Sequence, residues 1–183
     1  MKFKETKFKD AWITQPKVFQ DGRGFFLESY SNGWFVDKGI DVSFIQDNHS
    51  LSREIAVLRG IHFQIPPHDQ AKLVRVTAGK VYDVIVDIRK GSKTYGQWQG
   101  FELSAENFTM LFIPRGFAHG FCTLEPNTEF CYKVDNNYAP ESDSGIIWND
   151  ATLNIDWPIS NPKLSAKDSQ LNSFGELKTP FTQ

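Results

Sequence analysis

The sequence predicts an all-β protein, either a sandwich or a barrel. Short segments rich in aromatic and β-branched residues recur along the chain, and turn clusters such as GSKTYG, RGFAHG and APESDSG separate them. Helical patterns are few and short, near residues 32–39 and 164–168. The 183 residues suggest one domain, 1–183, in which residues 169–183 form a surface tail.

The strongest strand signals lie in the middle of the chain. KLVRVTAGKVYDVIVDIR, residues 72–89, contains two extended runs with a turn at Ala78-Gly79. In the second run, alternate residues place Tyr82, Val84, Val86 and Ile88 on one face. The segments MLFIP at 110–114 and TEFCYKV at 128–134 are predicted to be further strands.

Composition and charge exclude several classes of protein. A net charge of −2 gives no global attraction to nucleic acid or membrane. The N-terminus lacks the apolar region of a secretory signal, and no apolar run approaches the roughly 20 residues that span a bilayer. Cys122 and Cys131 form no disulfide framework, which indicates free thiols in a cytoplasmic protein.

Two histidine segments raise the question of a metal site. IPRGFAHGF at 113–121 fits the P-x-G-x-x-H motif of cupin β-barrels, in which this histidine, here His119, is a metal ligand. The upstream H-x-H of metal-binding cupins reads His62-Phe63-Gln64 here, and the window where a glutamate is expected contains His68, Asp69 or Lys72 instead. A lysine ammonium offers no lone pair, so no metal is expected. The remaining histidines, His49 and His68, are predicted to be surface or loop residues.

A series of motifs along nearly the whole chain resembles the dTDP-4-dehydrorhamnose 3,5-epimerase family. The segments are DGRGFFLESY, FIQDNHS, VLRGIHFQ, QAKLVRV, VYDVIVDIR, LSAEN, IPRGFAHGF, EFCYKVDNNYAPESDSGIIWND and LSAKD, in family order. The resemblance implies a cupin-like jelly-roll β-barrel with a few short helices. It also implies a homodimer and a reaction without metal or cofactor. The expected substrate is dTDP-4-dehydro-6-deoxy-D-glucose, inverted at C3 and C5.

The resemblance also assigns the catalytic residues. His62 is the expected base, since an imidazole titrates near pH ~6.5, and Asp168 is expected to orient it. Tyr132 matches the proton donor, because a phenol with a pKa near ~10 stays protonated until an enolate takes the proton. Lys72 is expected at the C4 oxygen, where its charge stabilises the enolate. His119 matches a position that contacts the substrate.

The same resemblance provides the residues for the nucleotide. Arg59 and Arg23 fit phosphate recognition through their guanidinium groups, and the family supplies Arg23 and Glu28 from the neighbouring subunit. Tyr138 aligns with an aromatic residue that stacks on the base, and Phe19 could flank it. The other expected binding residues are Gln46, Asp47, Asn48, Lys167 and Asp143, the last in place of the usual Glu.

Three alternatives stay open on the sequence alone. An epimerase that acts at C3 only, or a 3,4-ketoisomerase, begins from the same enolate and uses similar His and Tyr groups. A metal-dependent cupin such as a dioxygenase is a second alternative. A β-barrel that binds sugar nucleotides without catalysis is the third, although binding alone does not need a base and an acid.

Overall fold

Most of the regular secondary structure is β-strand. The computed structural model describes residues 1–182, and its helical elements are α1 (Asn32–Asp37) and three 3-10 turns at Pro140–Ser142, Asp168–Gln170 and Phe174–Glu176. The strands of this range are β1 (Lys2–Glu5), β2 (Trp12–Gln15), β3 (Val18–Asp21), β4 (Gly24–Leu27), β5 (Gln46–Ser52), β6 (Leu58–Gln64), β7 (Lys72–Ala78), β8 (Lys80–Asp87), β9 (Trp98–Ser104), β10 (Met110–Ile113), β11 (Phe117–Thr123), β12 (Thr128–Val134) and β13 (Asp143–Gly145).

Two antiparallel sheets form the body of the fold. One sheet has the order β1-β2-β10-β7-β12-β5 and the other has the order β13-β6-β11-β8-β9. From β5 to β8 the chain changes sheet at every connection, as it does again from β9 to β13. This exchange between facing sheets is typical of a jelly roll. The all-β, cupin-like prediction is therefore confirmed.

The predicted strands correspond closely to observed ones. The segments at 110–114 and 128–134 form β10 and β12, and the run at 72–89 forms β7 and β8. Gly79, between β7 and β8, has φ of +73°, and a Cβ there would lie 2.3 Å from Thr128 Oγ1. Only glycine therefore fits this corner, where the chain leaves one sheet for the other.

The core between the sheets is strongly aromatic. Phe121 on β11 stacks on Phe130 on β12, with ring centroids 4.0 Å apart and planes at 14°. Val74, Ile85 and Leu111 are fully buried around them. Each such side chain contributes about 1.5–3 kcal/mol relative to an exposed one, so these contacts hold the two sheets together.

A second apolar layer covers the outer face of the sheet that contains β6. Residues of the C-terminal segment, including Trp157, Phe174 and Phe181, are buried there against Phe63 and other strand residues. Lys90 N also donates to Phe181 O at 2.8 Å. The prediction of a surface tail over 169–183 is therefore wrong for the described part of that segment, because its aromatic residues shield the sheet. Gln183 lies outside the described residues.

One predicted helix is confirmed and the other is wrong. α1 forms where NGWFVDKG was predicted to be helical, and its Phe35 packs on Phe112 with ring centroids 5.5 Å apart. Residues 164–167 are not helical, and a 3-10 turn begins only at Asp168. Lys163 forms a parallel bridge with Val57, which keeps the preceding chain extended. Within residues 1–182 no helix has the length and apolarity to cross a bilayer.

Candidate active site

A cavity of about 280 Å³ opens between the two sheets. β6 and β11 form one wall, and β7 and β12 form the other, with a loop near residue 168 at its edge. The aromatic pair Phe121 and Phe130 also lines the cavity. Seven predicted site residues line it: Arg59, His62, Lys72, His119, Tyr132, Lys167 and Asp168.

His62 and Asp168 form a hydrogen-bonded pair in the cavity. His62 Nε2 donates to Asp168 Oδ1 at 2.5 Å, and the carboxylate side chain is only 5% exposed. Burial alone would raise the pKa of Asp168. The hydrogen bond and charge of His62, the Ser165 hydroxyl and the Lys167 charge outweigh burial and lower that pKa. The ionised carboxylate therefore fixes the proton on Nε2 and leaves Nδ1 of His62 as the basic nitrogen.

A second imidazole–carboxylate pair lies beside the first. His119 is the cross-strand partner of His62, and its Nε2 donates to Asp83 Oδ2 at 2.9 Å. Asp83 is fully buried, and its Oδ1 has no hydrogen-bond partner among the described residues. Burial lowers the pKa of His119 despite the opposing effect of Asp83, so this imidazole is neutral at pH 7.

The close approach of β6 and β11 depends on glycine. A Cβ at Gly60 would lie 2.5 Å from the Cα of Gly120, and Gly60 has φ of +121°. The register between the two strands is irregular between His119 and Phe121, next to this contact. The paired glycines thus allow the two histidines to lie side by side at the cavity wall.

Tyr132 and Lys72 belong to the opposing wall. Tyr132 lies on β12 and Lys72 at the start of β7, where Lys72 pairs with Val134. Burial raises the pKa of the Tyr132 phenol, with Asp143 adding to this effect and Arg59 opposing it. Burial also lowers the pKa of Lys72 to about 8, although Asp83 and Asp143 oppose it. The wall therefore presents a protonated phenol and an ammonium group near neutral pH.

The predicted binding residues Gln46, Asp47 and Asn48 are divided between two faces of β5. Gln46 and Asn48 are half-buried, and Gln46 Nε2 donates to Asn48 Oδ1 at 2.8 Å. Asn48 pairs with Tyr132 on the neighbouring strand. Asp47 points to the other face, where it accepts from Lys133 Nζ at 2.8 Å. The structure therefore does not bring Asp47 to the cavity, since successive strand residues alternate in direction.

Tyr138, Asp143 and Lys167 form a cluster at the edge of the cavity. Tyr138 Oη donates to Asp143 Oδ2 at 3.0 Å, and Lys167 Nζ donates to the same oxygen. Asp143 lies on β13 opposite Gln64, while Lys167 precedes Asp168 in the chain. This cluster joins the loop that carries Tyr138 to the segment that carries Asp168. The Tyr138 ring is left 58% exposed.

Phe19, Arg23 and Glu28 lie away from the cavity of their own chain. β3 and β4 form a separate hairpin, in which Phe19 is 50% exposed and Arg23 forms an ion pair with Asp21 at 2.6 Å. Glu28 follows β4 and is also exposed. The hairpin therefore leaves these expected binding residues free to contact another molecule.

The histidine positions of metal-binding cupins carry other interactions here. Gln64, in the place of the second histidine, is buried and hydrogen-bonds to loop backbone at residues 68, 137 and 139. His62 and His119 each bind a different carboxylate. Across residues 1–182, no three His, Cys, Asp or Glu side chains are grouped so that they could hold a metal ion.

Asp83 and Gln64 are site residues that the sequence reasoning missed. Asp83 interrupts the apolar run VYDVIVDI, and a charged residue within such a run is the feature of the sequence that could have indicated a functional role. Its contact with His119 depends on the pairing of β8 with β11, which the sequence does not give.

The assembled groups can abstract a proton, return a proton from the opposite wall and stabilise a negative oxygen between them.

Comparison with known proteins agrees with this chemistry. A family model described as dTDP-4-dehydrorhamnose 3,5-epimerase matches residues 5–176. The dTDP-4-dehydrorhamnose 3,5-epimerase of Shigella flexneri is 52% identical over 171 residues, which cover 93% of this chain and 94% of that protein. The crystal structure of dTDP-6-deoxy-D-glucose-3,5-epimerase from Legionella pneumophila, in complex with dTDP-4-keto-L-rhamnose, is 42% identical. It matches with a TM-score of 0.95 and covers 100% of this chain and 98% of that one.

A less similar structure has a narrower activity. The 3'-monoepimerase from Streptomyces bikiniensis, in complex with dTDP-quinovose, is 30% identical and matches with a TM-score of 0.87. The match covers 93% of this chain and 86% of that one. The family model and the identity to the Shigella enzyme, each over most of the chain, decide the assignment. The chain belongs to the dTDP-4-dehydrorhamnose 3,5-epimerase family, whose members are isomerases.

Proposed function

We propose that this chain converts dTDP-4-dehydro-6-deoxy-D-glucose to dTDP-4-dehydro-L-rhamnose by inverting C3 and C5. The observation that carries the proposal is that His62 and Tyr132 line one cavity from opposing sheets, and Lys72 lines the same cavity from β7, the strand next to that of Tyr132. The Legionella structure, which holds dTDP-4-keto-L-rhamnose, supports the choice of substrate.

Proton removal is the first step at each carbon. The hydrogens at C3 and C5 are α to the C4 ketone, so their loss gives an enolate. Nδ1 of His62 accepts the proton, and Asp168 stabilises the imidazolium that results through the Nε2 hydrogen bond. This hydrogen bond also prevents the ring from turning, which keeps Nδ1 directed at the substrate.

The enolate is stabilised and then protonated from the other wall. The Lys72 ammonium lies within the cavity and would face the oxygen at C4, where a preorganised positive charge contributes several kcal/mol, on the order of one oxyanion-hole donor. The Tyr132 phenol then donates its proton to the carbon from the face opposite His62. Inversion follows because removal and return of the proton occur on different faces. Proton exchange with water then returns His62 to its neutral form and Tyr132 to its phenol before the second carbon reacts.

The nucleotide would bind at the edge of the cavity. Arg59 and Lys167 line this edge and provide cations for the diphosphate. The exposed ring of Tyr138 provides a surface on which thymine can stack. Gln46 and Asn48 offer amide groups on the strand beside Tyr132, and Asp143 orients Tyr138 and Lys167. In this proposal the shorter Asp143 acts through these two side chains.

A homodimer would complete the site. The β3–β4 hairpin exposes Phe19, Phe25 and Phe26 to solvent, an apolar surface that is typical of an interface. We place Arg23 and Glu28 of one subunit at the diphosphate and nucleoside of the other, with Phe19 beside the base. β5, one of the two edge strands of its sheet, would lie next to the incoming hairpin.

Mixing two inactive variants tests the shared site. A dimer of one Arg23→Ala subunit and one His62→Ala subunit contains one complete site if Arg23 acts across the interface. Activity should therefore return when the two variants are unfolded together and refolded. If Arg23 acts within its own chain, every site of the mixture lacks one residue and no activity returns.

The proposed reaction requires neither metal nor cofactor and takes place in the cytoplasm. Proton transfer through an enolate involves no net oxidation, and the cavity supplies its own base, acid and cation. Dialysis against EDTA should therefore leave the turnover rate unchanged. Loss of activity that returns with one equivalent of a divalent metal would contradict this part of the proposal.

Incubation with the 4-keto sugar nucleotide in D₂O tests the function. Deuterium should appear by NMR at both C3 and C5, together with the L-sugar. The second candidate is an epimerase that acts at C3 only, which the likeness to the Streptomyces bikiniensis monoepimerase favours. Label at C3 alone would establish that candidate, and a product with its carbonyl at C3 would identify a ketoisomerase.

A further inference from the structure

The Gln64 side chain holds the loop that carries Tyr138. Gln64 is 5% exposed, and its Nε2 donates to Asn137 O at 3.1 Å and to His68 O at 2.5 Å. Its Oε1 accepts from Ala139 N at 2.8 Å. The buried amide thus uses both donor hydrogens and its acceptor on loop backbone, which leaves its hydrogen-bonding capacity well satisfied.

The hydrogen bonds that Gln64 forms with Asn137 O and Ala139 N lie on either side of Tyr138. They have the pattern of a pairing between two strands. In an extended segment the carbonyl of residue 137 and the N–H of residue 139 point to the same side, and a neighbouring strand would normally pair with both. Here the side-chain amide of Gln64 replaces that strand. Since these groups flank residue 138, the amide fixes the direction in which the Tyr138 side chain leaves the backbone.

A second residue fixes the other end of the same side chain. Asp143 is the cross-strand partner of Gln64, and it accepts the hydrogen bond from Tyr138 Oη at 3.0 Å. Tyr138 is therefore held at its backbone by one residue of the β6–β13 pair and at its hydroxyl by the other. The ring between these contacts is exposed, so packing alone would not order it.

We propose that Gln64 is a positioning residue that presents the Tyr138 ring to the thymine base of the substrate. This inference rests on the proposed function, in which Tyr138 stacks on the base. Holding the ring before the substrate arrives removes an entropy cost from binding, because the loop and side chain are already ordered. The position that is a metal ligand in metal-binding cupins would thus serve nucleotide recognition in this chain.

Titration with dTDP tests the role of Gln64. Gln64→Met, of similar length but without the amide, should bind dTDP roughly 10-fold more weakly, within the range expected for loss of an aromatic–base stack. KM should rise by a similar factor while kcat at saturating substrate is retained. Gln70→Met is the matched control, since Gln70 Nε2 donates to Asn136 O of the same loop at 2.8 Å without flanking Tyr138. It should bind dTDP as the unmodified protein does.

A double-mutant cycle separates positioning from a general structural role. In a Tyr138→Ala background, Gln64→Met should cause no further loss of dTDP affinity, because both changes remove the same stack. Additive losses, or an unchanged dTDP affinity in Gln64→Met, would overturn the inference. If Gln64→Met does not fold, Gln64→Asn keeps a buried amide that is one methylene too short. This variant should also bind dTDP more weakly, with no further loss of affinity in the Tyr138→Ala background. Failure of the unmodified protein to bind dTDP would instead overturn the proposed function.

Discussion

His62 on β6 and Tyr132 on β12 belong to different sheets, and both side chains line one cavity. A keto sugar placed in this cavity has the imidazole on one side and the phenol on the other. The chemical roles proposed for the two residues are distinct, so their substitutions should produce different patterns of isotope exchange rather than the same loss of activity.

His62→Ala should abolish exchange at both C3 and C5. The variant lacks the base that begins each inversion, and loss of a general base costs roughly 10²-fold or more. Deuterium uptake from D₂O, followed by NMR, measures both positions at once. Asp168→Asn is the companion change, since it keeps the imidazole but removes the charge that stabilises its protonated form. That variant should retain more exchange than His62→Ala but less than the unmodified protein, and exchange equal to that of the unmodified protein would contradict the role of the pair.

Tyr132→Phe should retain part of the exchange while it loses most of the epimerised product. The base is intact in this variant, so the enolate still forms, and the proton on His62 or water can return to the original face. The ratio of exchanged substrate to L-sugar product should therefore rise, as measured by NMR on one reaction mixture. A variant that shows neither exchange nor product would mean that Tyr132 is needed for proton removal.

The sequence predicted the walls of the site better than its edges. Lys72 and Tyr132 lie on strands that the sequence identified, where the alternation of strand residues directs them inward. His62 and His119 were assigned by motif and resemblance, and most of RGFAHG, predicted to be a turn, belongs to β11. The resemblance assigned Asp47 to the site together with Gln46 and Asn48. The same alternation, applied to β5, would have separated it from them.

Features that depend on contacts distant in sequence could not be predicted. The pairing of Asp83 with His119 requires the register of β8 on β11, and the hydrogen bonds of Gln64 require the path of a loop more than seventy residues away. The C-terminal aromatic residues are isolated among polar residues, so no periodic pattern indicates that Phe174 and Phe181 are buried. Periodicity identifies the direction of a side chain within a strand but does not identify its partner.

The pH dependence of kcat/KM should report the protonation of Lys72. Burial lowers the pKa of this ammonium group to about 8, and the charges of Asp83 and Asp143 oppose that shift. The enolate requires the charged form, so kcat/KM should fall as the pH rises through about 8. Tyr132 should not obscure this transition, because burial raises the pKa of its phenol above the ordinary value.

Asp83→Asn provides the decisive comparison for this pH profile. Removal of the Asp83 charge takes away the larger of the two opposing effects, so the pKa of Lys72 should fall further and the alkaline limb should move to lower pH. His119 is also close enough to Lys72 for their charges to interact, and its own pKa is already lowered by burial. An alkaline limb at the same pH in both proteins would assign the transition to another group.

Asp87→Asn should destabilise the fold in a manner that depends on pH. The Asp87 carboxylate is fully buried, and it accepts from Arg89 Nε at 2.9 Å, from Arg89 Nη2 at 2.8 Å, from Ser92 Oγ at 2.7 Å and from Thr94 Oγ1 at 2.6 Å. Burial raises its pKa, but these hydrogen bonds together outweigh burial and lower it. Asparagine leaves the largely buried Arg89 without its counter-charge, which should cost about 3 kcal/mol at pH 7.

This cost should shrink in acid. Because the native pKa of Asp87 is below the unfolded value of about 3.9, its contribution is complete above that pH and is lost as the pH falls through the native pKa. Urea unfolding at pH 7 and pH 3, at one protein concentration, measures the change. Glu54→Gln, which removes an exposed ion pair with Lys163, is the control and should leave the unfolding free energy nearly unchanged at both pH values. An Asp87→Asn penalty of equal size at pH 7 and pH 3 would show that lost packing, and not the buried charge, is its cause.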